Sequence, residues 1–392
     1  MKNSGTKGLL DFLFISGPLG LHITGGDNVM LNLAQKLKDD GYKVGILYVA
    51  KVEKYFEENS NDYSLYQTYI DCLTVKYKVF SIVFHNKLGM KLLWIKRKIK
   101  GELENIPTLK GIKIFFQRIP DYISSRRTIA VGWRSAYVLE KISYEGIKYY
   151  LVQHDEDDKS YSGNLFELAA KSYTFNFKKI IYNHHLSQRF FNDAPIKIKL
   201  GLTWLPQKNI LPEQKMRGTI LLVLRNGNSK GSEFALKAAL ELSENKGISF
   251  RSFGDYSGEI PKFIEHYGWA NKETLSNLYN WASIFVIPSI IEGFSLTTAE
   301  AMYAGCAIVA SDCIGVREIV KHELNGFVVS PKNPRIIANK ISELVNNDEL
   351  RLSFANAAMR DILNYTFDNT YREFINGILE FEKSVHKPLK QK

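Results

Sequence analysis

Residues 288–310 read PSIIEGFSLTTAEAMYAGCAIVA, and they follow Ala282 to Ile287, ASIFVI, a short apolar and β-branched run. Such a run has the composition of a parallel strand covered on both faces. Pro288 has no amide hydrogen to give a sheet ladder, Gly293 takes backbone angles that other residues avoid, and Ser295 to Thr298 supply hydroxyls suited to capping. A helix is therefore expected from about Ser295 to Gly305. Its first-turn amides have no partners inside the helix, and with the aligned peptide dipoles they make a positive end of roughly half a charge, which binds phosphate. Glu292 sits just before that end and Glu300 about one turn inside it. A carboxylate does not attract phosphate but accepts hydrogen bonds from hydroxyls, so this pair suits sugar or ribose. The ligand implied has a phosphate centre and hydroxyl-bearing ends, as a nucleotide sugar does.

Either acid alone reads as a surface carboxylate on a capped helix. Together they form a Glu-x7-Glu pattern inside EGFSLTTAEAMYAGCAIVASDCIGVREIV, residues 292–320, which resembles the signature of the retaining, two-domain (GT-B) group 1 glycosyltransferases. The resemblance implies an α/β fold of two Rossmann-like doubly wound domains facing a cleft. It further implies that Glu292 contacts the donor sugar, that Glu300 holds the ribose, and that the backbone of Gly293, Phe294, Ser295, Leu296 and Thr297 takes the diphosphate.

A chain of 392 residues with 45% apolar and 12% aromatic content is long enough for two cores and is not disordered over most of its length. Its three cysteines, Cys72, Cys306 and Cys313, have no spacing suited to zinc, which points to a reduced, cytoplasmic setting. Leu9 to Ser16, LLDFLFIS, is too short to span a membrane, and no later run approaches the roughly 20 residues needed. The net charge of +11 lies almost wholly in the first half: residues 1–205 hold 30 Lys and Arg against 20 Asp and Glu, the remainder 22 against 21. Within that half, Lys87 to Lys100 (KLGMKLLWIKRKIK) interleaves cations with Leu88, Leu92, Ile95 and Ile99 at helical spacing. That is the pattern of a peripheral contact with an anionic membrane, with an ordinary surface helix as the alternative.

In chain order, Leu9 to Ser16 reads as the first strand, Gly17 to Gly26 as a loop, about Asp27 to Asp40 as a helix and Val44 to Val49 as the second strand. The loop lacks Gly-x-Gly-x-x-Gly, so it is not the dinucleotide fingerprint. The resemblance places Gly25 and Gly26 where backbone amides face donor phosphate and acceptor. Further strands at 112–116, 128–131, 147–152 and 179–182 alternate with helical stretches, so the sheet is mostly parallel. IKYYLVQ ends in His154, just past the carboxyl end of a strand, where open α/β sheets bind ligands. Read alone, His154 is more often structural. The resemblance assigns it a hydrogen bond to the donor sugar, and the QHDE wording is similar to a branch that includes bacterial rhamnosyltransferases. Asp155 to Asp158 reads as a solvated loop, not a metal motif.

The second domain opens with Thr219 to Leu224, then Arg225-Asn-Gly-Asn-Ser-Lys230-Gly231 and a helix from Ser232. Two cations on a strand–loop–helix turn neutralise a diphosphate, and Arg-x4-Lys-Gly matches the family's diphosphate clamp. Gly268 and Trp269 lie where the resemblance places the nucleotide base, held mostly through backbone groups, with Trp269 read as a core tryptophan in preference to one that stacks on the base. The domains expected are 1–205 for the acceptor, 206–366 for the nucleotide sugar, and 367–392 as a helix crossing back to the first. The function implied is retaining sugar transfer from a nucleoside diphosphate sugar to a glycan or lipid-linked acceptor in cell-surface polysaccharide or glycoconjugate synthesis. Glu292, His154, Arg225 and Lys230 are the catalytic candidates, with no metal or other cofactor and no nucleic acid expected. A non-catalytic nucleotide-sugar-binding scaffold and a nucleic-acid binder are the rival classes.

Overall fold

The computed structural model describes residues 9–16, 25–48, 113–115, 125–141, 146–158 and 165–385. The basic run Lys87 to Lys100, the loop residues 17–24, Cys72 and the terminal HKPLKQK lie outside the described residues. The chain packs as two units, residues 1–181 with 190–196 and residues 182–189 with 197–392. The boundary read at residue 205 falls inside the second unit. Leu202 donates its amide to Tyr365 O at 2.9 Å and Gly201 donates to Thr370 Oγ1 at 2.8 Å, which ties residues 201 and 202 to the start of the chain's last helix, Phe367–Val385, and to the residue two before it. That helix, expected to cross to the first domain, is grouped with the second unit.

In the first unit, strands β1 (Leu10–Ser16), β2 (Val44–Tyr48), β3 (Lys113–Phe115), β4 (Ser125–Val131), β5 (Ile147–Val152), β6 (Lys178–Ile181) and the two-residue β7 (Ile196–Lys197) form a sheet in the order β3-β2-β1-β4-β5-β6-β7. β1 pairs in parallel with both β2 and β4, with Leu13 opposite Gly45 on one side and Thr128 on the other. The strand order therefore reverses between β1 and β4, the place where an open α/β sheet leaves a crevice at its carboxyl edge. Phe12, Phe14 and Ile15 are fully buried, which is why β1 is apolar nearly throughout. Helices α1 (Gly25–Asp39) and α2 (Trp133–Lys141) follow the two central strands, and α3 (Phe166–Ser172) follows β5. α1 starts at Gly25, so the Gly pair forms its first turn and not the end of a loop.

The second unit begins with α4 (His184–Arg189) and continues with β8 (Thr219–Val223), α5 (Ser232–Glu241), β9 (Ser249–Phe253), β10 (Ile264–His266), α6 (Lys272–Trp281), β11 (Ile284–Ile287), α7 (Leu296–Tyr303), β12 (Ala307–Ser311), α8 (Ile314–Arg317), β13 (Phe327–Val329), α9 (Pro334–Asn346), α10 (Asp348–Ile362) and α11 (Phe367–Val385). Its sheet runs β10-β9-β8-β11-β12-β13, every pairing parallel, and the order reverses between β8 and β11. Ile220, Leu222, Ile284, Val286, Ala307 and Val309 pack with residues of α5, α9 and α10 into one core. Asparagine side chains start three of these helices: Asn271 accepts from Thr274 N, Asn333 from Ile336 N and Asn347 from Leu350 N. α11 buries Phe367, Tyr371, Phe374, Ile375 and Ile378, a single stripe at helical spacing. Among the described residues, no helix is long and apolar enough to cross a membrane.

Candidate functional site

The second unit's switch point joins the two loops that the sequence singled out. After β8, Ser232 Oγ accepts from the Arg225 amide and donates to the Arg225 carbonyl, both at 2.7 Å, so one hydroxyl fixes the start of the turn. Gly231 then passes the end of β11 at φ 64°, and a Cβ there would lie 2.2 Å from Pro288 O. Only glycine fits. Ile290 N and Ile291 N both donate to Ser229 O, at 2.8 and 3.2 Å, which fastens the loop after β11 to the loop after β8.

Across this junction Lys230 Nζ lies 3.0 Å from Glu292 Oε1, and Ser289 Oγ donates to the same oxygen at 2.9 Å. Glu292 Oε2 has no partner among the described residues. Arg225 stands on the other side of the loop, its Nε 3.4 Å from Asp255 Oδ1 and its guanidinium 5.6 Å from the centre of the Trp269 ring. Asn226 extends the link by donating to the Asp255 carbonyl while its Oδ1 accepts from Ser257 N and Ser257 Oγ. Trp269 is 41% exposed, so the reading of it as a core residue is corrected. It follows Gly268, whose carbonyl accepts from Gly254 N at 2.8 Å and whose φ of 60° turns the chain outward after β10.

The turn into α7 is held from behind. Gly315 N donates to Glu292 O at 2.8 Å, and a Cβ on Gly315 would lie 2.6 to 2.8 Å from the backbone of residues 292–294. Ser295 makes no capping bond; its Oγ pairs with Thr298 Oγ1 at 2.7 Å, a correction to the expected hydroxyl cap. The amides of Gly293, Phe294, Ser295, Leu296 and Thr297 find no acceptor among the described residues, so the positive helix end remains open to an anion.

Glu300 points into the unit. It is 5% exposed, Trp204 Nε1 donates to its Oε1 and Tyr279 OH to its Oε2, each at 2.8 Å, and burial pushes its pKa up to about 7. In the ionised form each of those oxygens keeps a further lone pair.

In the first unit, Gly26 and the end of β5 meet: a Cβ on Gly26 would lie 2.2 Å from Gln153 Oε1, one residue before His154. His154 O accepts from Tyr173 OH at 3.3 Å. The stretch 155–158 is not simply solvated, which corrects its reading as a surface loop. Glu156 is 2% exposed, accepts from Tyr150 OH at 2.5 Å, and has its pKa raised to about 8 by burial. Among the described residues, no group of three or more His, Cys, Asp or Glu is placed to hold a metal ion.

Residues 206–361 match the family described as glycosyl transferases group 1, and Arg225, Lys230, Gly268, Trp269, Glu292 to Thr297 and Glu300 all fall inside that match. Residues 206–361, inside the second unit, are thus similar to a group 1 glycosyltransferase domain. An uncharacterized glycosyltransferase of Methanocaldococcus jannaschii is 31% identical over 218 residues, 50% of this chain and 53% of its own length. An N,N'-diacetylbacillosaminyl-diphospho-undecaprenol alpha-1,3-N-acetylgalactosaminyltransferase of Campylobacter jejuni is 39% identical over 100 residues, 26% of each chain. The chain thus spans about half or less of the curated relatives it matches. Similarity to solved structures runs further: sucrose-phosphate synthase from Thermosynechococcus elongatus superimposes with a TM-score of 0.67 over 95% of this chain and 100% of its own, at 12% identity. TarM from S. aureus, crystallised with UDP, gives 0.64 over 94% and 99%, at 15% identity. At such identities the likeness fixes the fold class, two Rossmann-like domains of the GT-B type, with the residues that match group 1 in the second.

Proposed function

We propose that this chain is a retaining glycosyltransferase that moves a sugar from a nucleoside diphosphate sugar to a glycan or lipid-linked acceptor. The observation that carries the reading is the junction at the β8–β11 switch point, where Arg225, Lys230 and the open amides of residues 293–297 share one edge of a single unit. Two fixed cations and a helix end suit a diphosphate in the ground state and suit it better once the sugar bond breaks and negative charge collects on the leaving oxygen. The Lys230 ammonium has three N–H groups, so it keeps Glu292 with one and offers the others to phosphate. Glu292 Oε2 then accepts from a sugar hydroxyl. In this reading Glu292 binds the sugar and does not attack it, and the leaving phosphate oxygen takes the acceptor proton on the face from which it departs.

Glu300 holds the ribose in this reading, and Gly268 with Trp269 flanks the base. His154 serves the sugar, and Gly25 with Gly26 faces the acceptor. The UDP in TarM crystals and the lipid-linked substrate in the Campylobacter jejuni relative's name support the two substrate classes. The basic run Lys87 to Lys100 would bring such an acceptor's membrane close. The test is transfer from a panel of nucleotide sugars to glycan and lipid-linked acceptors, with the anomeric configuration of the product read by NMR. Retained configuration, lost in Arg225→Ala and Lys230→Ala, is expected. Inverted product, or turnover indifferent to both substitutions, would falsify the proposal.

A further inference from the structure

The open amides at the start of α7 need their direction held, and the structure shows what holds it. Asn183 lies in the short segment 182–189 that groups with the second unit, and it is buried. Leu186 N donates to Asn183 Oδ1 at 2.7 Å, which caps α4. A backbone amide only donates, so the oxygen of Asn183 must face Leu186 and its NH2 must face Gly293 O, 3.2 Å away. The turn is fixed a second time where His184 N donates to Glu318 Oε1 at 2.7 Å, next to α8.

Within a trans peptide the carbonyl and the following N–H point in opposite directions. Glu292 O is held by Gly315 N and Gly293 O by Asn183, so the N–H groups of Gly293 and Phe294 are both set facing away from those partners. A glycine at 293 gives this backbone little stiffness of its own, and a turned peptide would present a carbonyl oxygen where an anion should meet an N–H. We propose that Asn183 is a positioning residue of the anion site: through Gly293 it orients the amides that receive the donor diphosphate. This rests on the donor reading above.

Asn183→Ser separates the two bonds. Serine caps a helix about as well as asparagine, carries no charge, and is too short to reach Gly293 O. On the full chain, UDP, GDP, dTDP and ADP are titrated calorimetrically, with the parent nucleoside of whichever binds as the phosphate-free control. Asn183→Ser is expected to keep the wild-type melting temperature within about 2 °C, to lose about tenfold in affinity for the diphosphate, and to leave nucleoside affinity unchanged. Unchanged diphosphate affinity, or an equal loss for the nucleoside, overturns the inference while leaving the donor reading intact. Wild-type chain that binds none of the four diphosphates overturns both. Should serine disturb folding, Asn183→Asp keeps the cap and sets an oxygen against Gly293 O. Its diphosphate loss is expected to exceed tenfold, and wild-type affinity in that variant also overturns the inference.

Discussion

Replacing Glu300 by Gln tests how the buried carboxyl is held. Its pKa is raised from 4.5 to about 7 by burial, against the opposing pull of the bonds from Tyr279 and Trp204. The sign follows from proton linkage. Below the unfolded pKa both states hold the proton and the contribution to stability is complete. Between 4.5 and about 7 the unfolded chain releases its proton while the folded chain retains it, so stability falls as pH rises, and it levels off above the folded value. At 1.36 kcal/mol per pKa unit the loss is about 3 kcal/mol. Gln keeps the shape. Its oxygen can face Trp204 Nε1, which only donates, and its NH2 can face the Tyr279 hydroxyl, which can turn to accept. Urea unfolding followed by tryptophan fluorescence, which includes Trp204, should therefore show Glu300→Gln gaining about 3 kcal/mol on the wild type between pH 5 and pH 9. A difference that stays flat across that range refutes the buried, proton-holding carboxyl.

Three further outcomes are expected. Arg225→Ala and Lys230→Ala should each lower kcat/KM for donor turnover at least a hundredfold, about 3 kcal/mol of lost transition-state stabilisation, in a steady-state assay. Gly315→Ala places a methyl carbon within 2.8 Å of the backbone at 292–294, so calorimetry should show a loss of more than about 2 kcal/mol, together with weaker diphosphate binding. Lys215 is buried with its Nζ on Tyr279 O, Ala282 O and Cys306 Sγ; Lys215→Ala leaves the two carbonyls with only the weaker Cys306 Sγ donor and a cavity behind, and chemical unfolding should report a cost of about 3 kcal/mol.

Much of the second unit was legible because its signals are local. Apolar runs such as TILLV and IFVI lie in strands buried on both faces, and Gly231 marks the left-handed turn after the first; Gly293, expected to take angles other residues avoid, is not among the glycines at positive φ. The resemblance of Arg-x4-Lys-Gly and Glu-x7-Glu to the family's motifs set Arg225, Lys230 and Glu292 at one edge, and Lys230 Nζ lies 3.0 Å from Glu292 Oε1. Other features depend on pairings distant in sequence. Asn183 meets Gly293 across 110 residues, Trp204 meets Glu300 across 96, and nothing in either neighbourhood marks the partner. Glu156 looked solvated because three aspartates surround it. It is buried because Tyr150 and Tyr173 wait on β5 and just beyond α3. The exposure of Trp269 follows from the left-handed turn at Gly268, which a single glycine in a sequence does not announce. The short strands β7 and β10, of two and three residues, are too brief to show a period.

The central claim is that the β8–β11 edge of the second unit receives a diphosphate. A thermal-shift titration of the full chain with UDP, GDP, dTDP and ADP, repeated on Arg225→Ala with Lys230→Ala, asks this directly. One nucleotide should raise the wild-type melting temperature in a saturable manner and leave the double variant unmoved. A shift of equal size in both proteins, or none for any nucleotide in the wild type, would contradict the claim.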